Sequence, residues 1–297
     1  MKRFFSLIYN LSGWLIYKIA TLAAILTPYP LSYFISVTIA RLWFMTGWNV
    51  NIIKNNISRA LDLDIKSKKV HIIAKKIYYN WAKNICDFLK HPIISKDKLK
   101  ERIELVGLEN LDKALQKGKG VVIFTAHIGN FEWGACRIAV EGYKIWGVSL
   151  VRENKLLNKF FESYRLSKGL KTLYINKMLN VFKILKDNGI VAIPTDWDPT
   201  NKARVYNFFG KNAIIPDGSV KIAMKSGAPL VPSFIFRKGK YNHLQVIEEP
   251  VELIHDESLD SETLLNKNME KMIEVLEKYI KENIEEWELF HDIWVDS

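Results

Sequence analysis

Between Leu108 and Val251, short apolar runs alternate with amphipathic stretches, and this rhythm restricts the fold more than any other feature of the chain. "VVIFTA" (121–126), "KIWGVSLV" (144–151), "IVAIPTD" (190–196), "PLVPSFIFR" (229–237) and "HLQVIEEPV" (243–251) have the length and β-branched content of strands. Between them, "LENLDKALQ", a segment starting near Asn130, "NKLLNKFFESYRLSKG", "KMLNVFKILKDNG" and "DGSVKIAMKSG" have helical spacing, several with glycine at the stop. Strands that alternate with helices predict an α/β fold: a mostly parallel sheet flanked by helices. Upstream, residues 54–90 read as helical, with Ile73, Ile77, Trp81, Ile85 and Phe88 on one face, and a last helix is expected over Leu264–Glu286. No repeat, low-complexity tract or Gly/Ser linker divides the 297 residues. The expected organisation is a helical region over 1–50 and one α/β domain over 51–297.

The first region is the apolar one. Phe4–Leu26 is long enough to cross a bilayer but contains Asn10 and Lys18, and Leu31–Met45 is broken by Arg41. No small-residue cleavage site follows a compact apolar core, so a signal peptide fits poorly. Tyr9, Trp14, Tyr17, Trp43 and Trp48 are of the type that collects at headgroup depth. A single span, a shallow helical pair and ordinary core helices all satisfy the apolar pattern. Charge orders them: Lys2 and Arg3 before the first stretch, and Lys54 and Arg59 after the second, are basic flanks on both sides. Two shallow helices, or a hairpin with both ends inside, suit that better than one span.

The charge is also unevenly spread. The last fifty residues hold 16 acidic and 4 basic side chains, leaving 39 basic against 16 acidic in the rest. A surface so basic suits an anionic partner, and a solvated lysine-rich face is the bland alternative. Aromatics interleaved with basic residues on a nucleic-acid fold are missing, so no nucleic acid is expected. Cys86 and Cys136 sit in apolar segments with no pairing pattern, which predicts free thiols. No Cys/His cluster has metal-ligand spacing, and neither metal nor cofactor is expected.

Ligands of open α/β sheets bind beyond the carboxyl ends of the strands. Three predicted strands end in functional groups there: His127, Arg152 and Asp196. In "TAHIGNFEWG" a glutamate, Glu132, stands five residues past His127, at the start of the next helix. A tight turn at Gly129 can bring the two together, so that the carboxylate holds one ring nitrogen and leaves the other as a base. N–H groups at the helix start near Asn130 would face a developing oxyanion. Each residue also has a plainer reading. His127 can be a turn residue, Glu132 a partner of the helix dipole, and Arg152 a cap on the sheet edge. "PTDWDPTN", with Asp196 and Asp198, is good turn chemistry in its own right. "FFG", Phe208, Phe209 and Gly210, reads as core packing or as an acyl-chain wall. There is no G-x-S-x-G elbow, and "GKG" precedes a strand where a phosphate loop would follow one.

"GKGVVIFTAHIGNFEWG", the arginine of "SLVRENKLLNKF", "PTDWD", "VYNFFGKNAIIPDGSVKIAMKSGAPLVPSF" and "IEEWELFHDIW" together resemble the lipid A biosynthesis acyltransferases, the late lauroyl/myristoyl transferases of lipopolysaccharide assembly. The His-x4-acid element is shared with glycerolipid acyltransferases and the mycobacterial mannoside acyltransferases. The resemblance implies a glycerolipid-acyltransferase-like fold with an N-terminal membrane-binding helical region at the cytoplasmic face of a bacterial inner membrane. It implies transfer of a fatty acyl chain from acyl carrier protein to a hydroxyl of a Kdo-bearing lipid A precursor. His127 matches the general base and Glu132 its acidic partner, and Gly129, Asn130, Arg152, Asp196, Phe208, Phe209 and Gly210 fall in the substrate-binding stretches. Two departures stand out: Glu153 follows Arg152 where relatives have proline, and could pair with it, and Trp197 stands where relatives carry a polar residue. Another glycolipid or glycerophospholipid as acceptor is the nearer alternative, and a non-catalytic basic membrane-binding protein the remoter one.

Overall fold

The computed structural model describes the backbone of residues 2–200 and 203–295 and the side chains from Leu11 onward. The side chains of Lys2, Arg3, Tyr9 and Asn10, and the residue Asn201, lie outside the described set.

Four helices open the chain: α1 (Lys2–Leu26), α2 (Tyr29–Met45), α3 (Val50–Leu61) and α4 (Lys68–Leu89). The segment 54–90 is thus two helices rather than one, broken where Asp62 takes a left-handed conformation (φ 51°). A short α5 (Lys96–Arg102) leads into β1 (Ile103–Val106), then α6 (Leu108–Leu115), β2 (Val121–Thr125), α7 (Phe131–Val140), β3 (Ile145–Ser149), α8 (Lys155–Ser167) and β4 (Lys171–Tyr174). A 3-10 turn (Ile175–Asn180) precedes α9 (Val181–Lys186) and β5 (Ile190–Pro194). The hairpin β6 (Arg204–Phe208) and β7 (Lys211–Ile215), α10 (Gly218–Ser226), β8 (Leu230–Lys238), β9 (Asn242–Ile247) and α11 (Ser261–Glu282) complete the fold.

Seven strands form one sheet in the order β1-β9-β8-β2-β5-β3-β4, and β6 and β7 pair separately. From β8 to β4 every pairing is parallel, while β8 and β9 form an antiparallel hairpin and β1 runs parallel to β9. The sheet is therefore mixed but mostly parallel, as the strand–helix alternation predicts. Its two faces are both covered. Val122 and Phe124 of β2 and Val191 and Ile193 of β5 join a core with α3, α4, α10 and α11, whereas Val121, Ile123 and Ile190 join a second core with α6 and α7. That two-sided burial is why β2 reads as a continuous apolar run.

β2 continues through α7 on one face, and β5 continues through α10 on the other, so the connections part between neighbouring strands. A crevice opens at such a point, at the carboxyl edge of the sheet.

α1 and α2 pack along α8 and α4, with Ser32, Tyr33 and Ala40 of α2 buried. Their outer faces are apolar: Ile16, Ile19, Leu22, Phe34 and Leu42 are 57–68 % exposed. Among the described residues no helix is long and apolar enough to cross a membrane.

Candidate active site

The register of the sheet builds the site. β2 and β5 pair in parallel with Thr125 opposite Pro194, and Thr195 N–H continues the ladder to Thr125 C=O at 2.8 Å. Two residues past the paired position, His127 and Asp196 leave the sheet side by side. His127 Nδ1 lies 2.7 Å from Asp196 Oδ1, and the His127 backbone N–H donates to Asp196 Oδ2 at 2.9 Å. Trp287 Nε1–H donates to the same Oδ2 at 2.9 Å. The Asp196 side chain is fully buried, whereas that of His127 is 25 % exposed.

Burial alone would push the Asp196 carboxyl up, but the neighbouring His127 charge and hydrogen bonds from His127 and Trp287 hold it below the usual carboxylate range. For His127, burial opposes the charged ring, and the Asp196 charge and hydrogen bond outweigh it, so the ring titrates above an ordinary histidine. An ionised carboxylate only accepts, so Nδ1 carries the proton toward Asp196 and Nε2 is the basic nitrogen.

This corrects the expected pairing. The residue that holds the ring is Asp196, not Glu132. Glu132 lies on the first turn of α7 and forms a two-pronged pair with Arg165 of α8: Nε donates to Oε2 at 2.9 Å and Nη2 to Oε1. Burial works against the Glu132 charge, and the Arg165 guanidinium more than offsets it, holding the carboxyl low. The physical reason is direction. A strand register puts residues 127 and 196 in contact directly, whereas the helix start turns Glu132 toward α8.

The remaining expected residues divide into two groups. Arg152 lines the cleft with His127, and its guanidinium lies 4.0 Å from the centre of the Phe161 ring. The carboxylate that supports its charge is Glu132, and Glu153 is exposed. Asp198 also lines the cleft and organises its own loop, accepting from Thr200 N–H at 2.8 Å and Ala203 N–H at 2.7 Å.

Gly129 and Asn130 are buried and act on the backbone. Gly129 has φ +56°, and a Cβ there would stand 2.0 Å from Ile235 O, so only glycine fits. Its N–H is spent on Glu286 C=O at 2.9 Å, while Asn130 caps α7 by accepting from Trp133 N–H at 3.2 Å. The Gly129 N–H and the Asn130 side-chain oxygen are therefore committed within the protein, whereas Asn130 Nδ2 is buried without a hydrogen-bond partner among the described residues. Phe208, Phe209 and Gly210 lie away from the cleft. Phe208 is fully buried against Trp287 and Trp294, and Phe209 and Gly210 form the β6–β7 turn at φ 53° and 71°. They pack behind the site against Trp287 and do not line the cleft.

His127 opens into a cleft of about 450 Å³. Phe131, Val148, Leu150, Ile175, Met178, Ile193, Trp197 and Pro216 give it an apolar wall, and Asp198, Thr200 and Asp217 a polar end. Phe131, Val148 and Pro194 also border a smaller apolar void of about 60 Å³ that continues under α7 between Ile123, Ile138, Ala192 and Leu170. Trp197 stacks flat on His291 at 3.7 Å and meets the His127 ring edge-on at 6.1 Å. Among the described residues no group of three or more His, Cys, Asp or Glu could hold a metal ion.

Arg165, Trp287 and His291 were not singled out from the sequence. A charged residue on the inner face of the "FFESYRLS" helix was the only local sign of Arg165. The tryptophans of "IEEWELFHDIW" marked the C-terminal stretch without indicating what it touches.

Fold and site together define an α/β protein with a strand-end histidine–acid pair at the mouth of an apolar cleft. The chain belongs to the bacterial lipid A biosynthesis acyltransferase family, which it matches over residues 1–295. It is also similar to the phosphatidylinositol mannoside acyltransferases of Mycobacterium tuberculosis (strain ATCC 25618 / H37Rv), 28 % identical over 159 residues, and Mycolicibacterium smegmatis (strain ATCC 700084 / mc(2)155), 24 % identical over 153 residues. These alignments cover 50 % of this chain and 49 % and 50 % of those proteins, so the chain spans about half the length of the curated relatives it matches.

Proposed function

We propose that the chain transfers a fatty acyl group from a thioester donor to a hydroxyl of a membrane glycolipid, with His127 as general base. The observation that carries this reading is the His127–Asp196 pair, its free-facing ring nitrogen opening into an apolar cleft. Nε2 takes the proton of the acceptor hydroxyl as its oxygen attacks the thioester carbonyl. Asp196 supports the imidazolium so formed, and the proton passes to the departing thiolate as the tetrahedral intermediate collapses. The hydroxyl oxygen gains the acyl carbon, sulfur loses it, and no covalent enzyme intermediate is required. The apolar wall and the void under α7 suit a hydrocarbon chain.

Within this reading the donor is acyl carrier protein, an acidic partner suited to the basic surface. The acceptor is a Kdo-bearing lipid A precursor, the surface is an anionic bilayer, and the place of work is the cytoplasmic face of a bacterial inner membrane. Family membership favours that acceptor, and the named mannoside relatives favour another glycolipid as the second reading. The test supplies purified protein with acyl carrier protein and coenzyme A thioesters, and with a lipid A precursor or a mannoside acceptor, and identifies products by mass spectrometry. Acylated lipid A precursor from the carrier-protein donor alone supports the full reading, and acylated mannoside alone moves the acceptor. No product from any pair, with the His127→Ala protein behaving identically, overturns it.

A further inference from the structure

The segment Glu285–His291 touches the histidine pair at two points and the turn after His127 at a third. Glu288 N–H donates to His127 C=O at 2.7 Å, Glu286 C=O accepts from Gly129 N–H at 2.9 Å, and Trp287 Nε1–H donates to Asp196 Oδ2 at 2.9 Å. Trp287 and Ile128 form an isolated antiparallel bridge, so this segment runs as a one-residue strand against the histidine loop. The chain just beyond it pairs with β7 through Ile293 and Trp294. The segment itself is gripped by four asparagines of the N-terminal helices.

Asn80 Nδ2 donates to Glu285 C=O at 3.0 Å, and Asn84 Nδ2 to Glu288 Oε1 at 2.5 Å. Asn56 Nδ2 reaches Leu289 C=O at 2.9 Å and His291 C=O at 3.1 Å, and Asn49 Nδ2 reaches Phe290 C=O at 3.1 Å. Asn80 and Asn84 stand one turn apart on α4, and Asn49 and Asn56 lie along α3 and its start, so each pair shares a helix face. A leucine at such positions would fill the volume, but only an amide aimed at a carbonyl fixes register along the segment. Asn84 is itself held: Arg237 of β8 donates to its Oδ1 and, at 3.1 Å, to Asp87, while Tyr33 of α2 donates to Asp87 at 2.7 Å. Asp87 is fully buried.

We propose that Glu285–His291 is a positioning strap for the Asp196–His127 pair, held in register by the asparagines of α3 and α4. The inference rests on the reading of His127 as the base. None of the asparagines touches His127 or Asp196; they act through Trp287 and Glu288.

The experiment compares Trp287→Phe, Asn80→Ala, Asn84→Ala and the Trp287→Phe/Asn84→Ala double variant in the full chain. Two measurements are made: steady-state turnover, and the pH midpoint of His127 modification by diethyl pyrocarbonate, read on the His127 peptide by mass spectrometry. Glu132 from α7, His291 from the strap, and Arg152 and Asp198 across the cleft are the other ionisable groups facing His127, and all are kept in every variant. Trp287→Phe should lower kcat about tenfold, the worth of a hydrogen bond to a charged group, with little change in KM. Asn80→Ala and Asn84→Ala should each lower kcat several-fold, about three to ten, and move the His127 midpoint down toward the ordinary value near ~6.5. The double variant should lower kcat by less than the product of the two single effects, since Asn84 and Trp287 act through one strap. Asparagine variants that lose thermal stability but keep kcat and the midpoint overturn the proposal, as do effects that multiply in the double variant. Asn80 is only half-buried, so it remains testable if Asn84→Ala does not fold. The chemical modification needs no turnover. A wild-type protein with no acyl transfer but a midpoint shift in the asparagine variants keeps the strap and removes the chemistry.

Discussion

Asp196 has no exposed surface, three hydrogen bonds and a lowered carboxyl, which makes it the residue on which the site turns. Asp196→Asn should lower kcat by about two to four orders of magnitude while leaving KM nearly unchanged, because an amide no longer supports the imidazolium. His127→Ala should do the same, within the range of a lost general base, about 10²–10⁴. The pH profile follows from the direction of the His127 shift. A base must be neutral to act, so the acid limb of kcat should fall above the ~6.5 of an ordinary histidine. In Asp196→Asn any residual limb should drop below that of the wild type, and an unmoved limb would mean that another group is titrating. Glu132→Gln should behave differently. It leaves Arg165 buried without its charge partner, a loss of about 3–5 kcal/mol for a broken buried pair, so thermal stability should fall before kcat does. Equal kcat losses in Glu132→Gln and Asp196→Asn, both folded, would return Glu132 to the chemistry. Three of the groups in this arrangement were legible: His127, Asp196 and Arg152 all stand at strand ends. Their partnership was not, because it depends on β2 and β5 being neighbours, and strand order is not written in either segment. Sequence distance favoured Glu132, five residues away, over Asp196, sixty-nine away.

At the scale of elements, the alternating strands and helices were readable because each is long and strongly periodic. The shorter pieces were hidden. β1 has four residues after a seven-residue helix, and β6–β7 carries exposed residues at alternate positions such as Val205 and Asn207. The last helix ends at Glu282 rather than Glu286, because Asn283 leaves helical geometry (φ −127°, ψ 36°) and a 3-10 turn redirects the chain into the strap. Local apolar spacing runs on to Ile284 and gives no sign of that exit. The α1–α2 pair is the clearest case of pattern outrunning packing. One face of each helix packs on the protein, and Tyr17 lies against Phe160 and Phe161 of α8, with Trp43 and Trp48 half-exposed around Trp81. The other face leaves Ile16, Ile19, Leu22 and Phe34 more than half exposed. If that face lies in a bilayer, Ile19→Asp combined with Phe34→Asp should lower partition onto anionic liposomes at least tenfold, since each apolar side chain buried in lipid contributes about 1.5–3 kcal/mol. Thermal stability in solution should hold, because neither side chain is packed. Unchanged liposome sedimentation would place the contact on the basic surface instead.

Along the chain the two signs of charge are unevenly spread. Most acidic residues of the last fifty lie in the segments before and after α11, which itself carries five acids and four lysines on a solvent face outside a buried inner face of Met269, Met272, Leu276 and Ile280. The rest of the chain, with 39 basic side chains against 16 acidic, presents the opposite field. Within the cleft, Arg152 lies under this field, and burial and Arg165 both work against its charge, so an arriving anion would relieve it. A long-range field of this kind steers encounter; it does not lower the barrier of the bond-making step. Salt at physiological strength screens beyond about 8 Å, a distance shorter than the approach of a protein donor but longer than the 2.7 Å between His127 and Asp196. Raising ionic strength should therefore lower kcat/KM for an acidic protein donor while kcat holds. A coenzyme A thioester, smaller and with fewer charges to steer, should lose less. Arg152→Gln should flatten the salt slope for the protein donor more than an exposed lysine far from the cleft, such as Lys117→Gln, does. A donor kcat/KM that stays flat from low to physiological salt would assign the basic surface to solvation and leave Arg152 as a short-range contact to a bound anion.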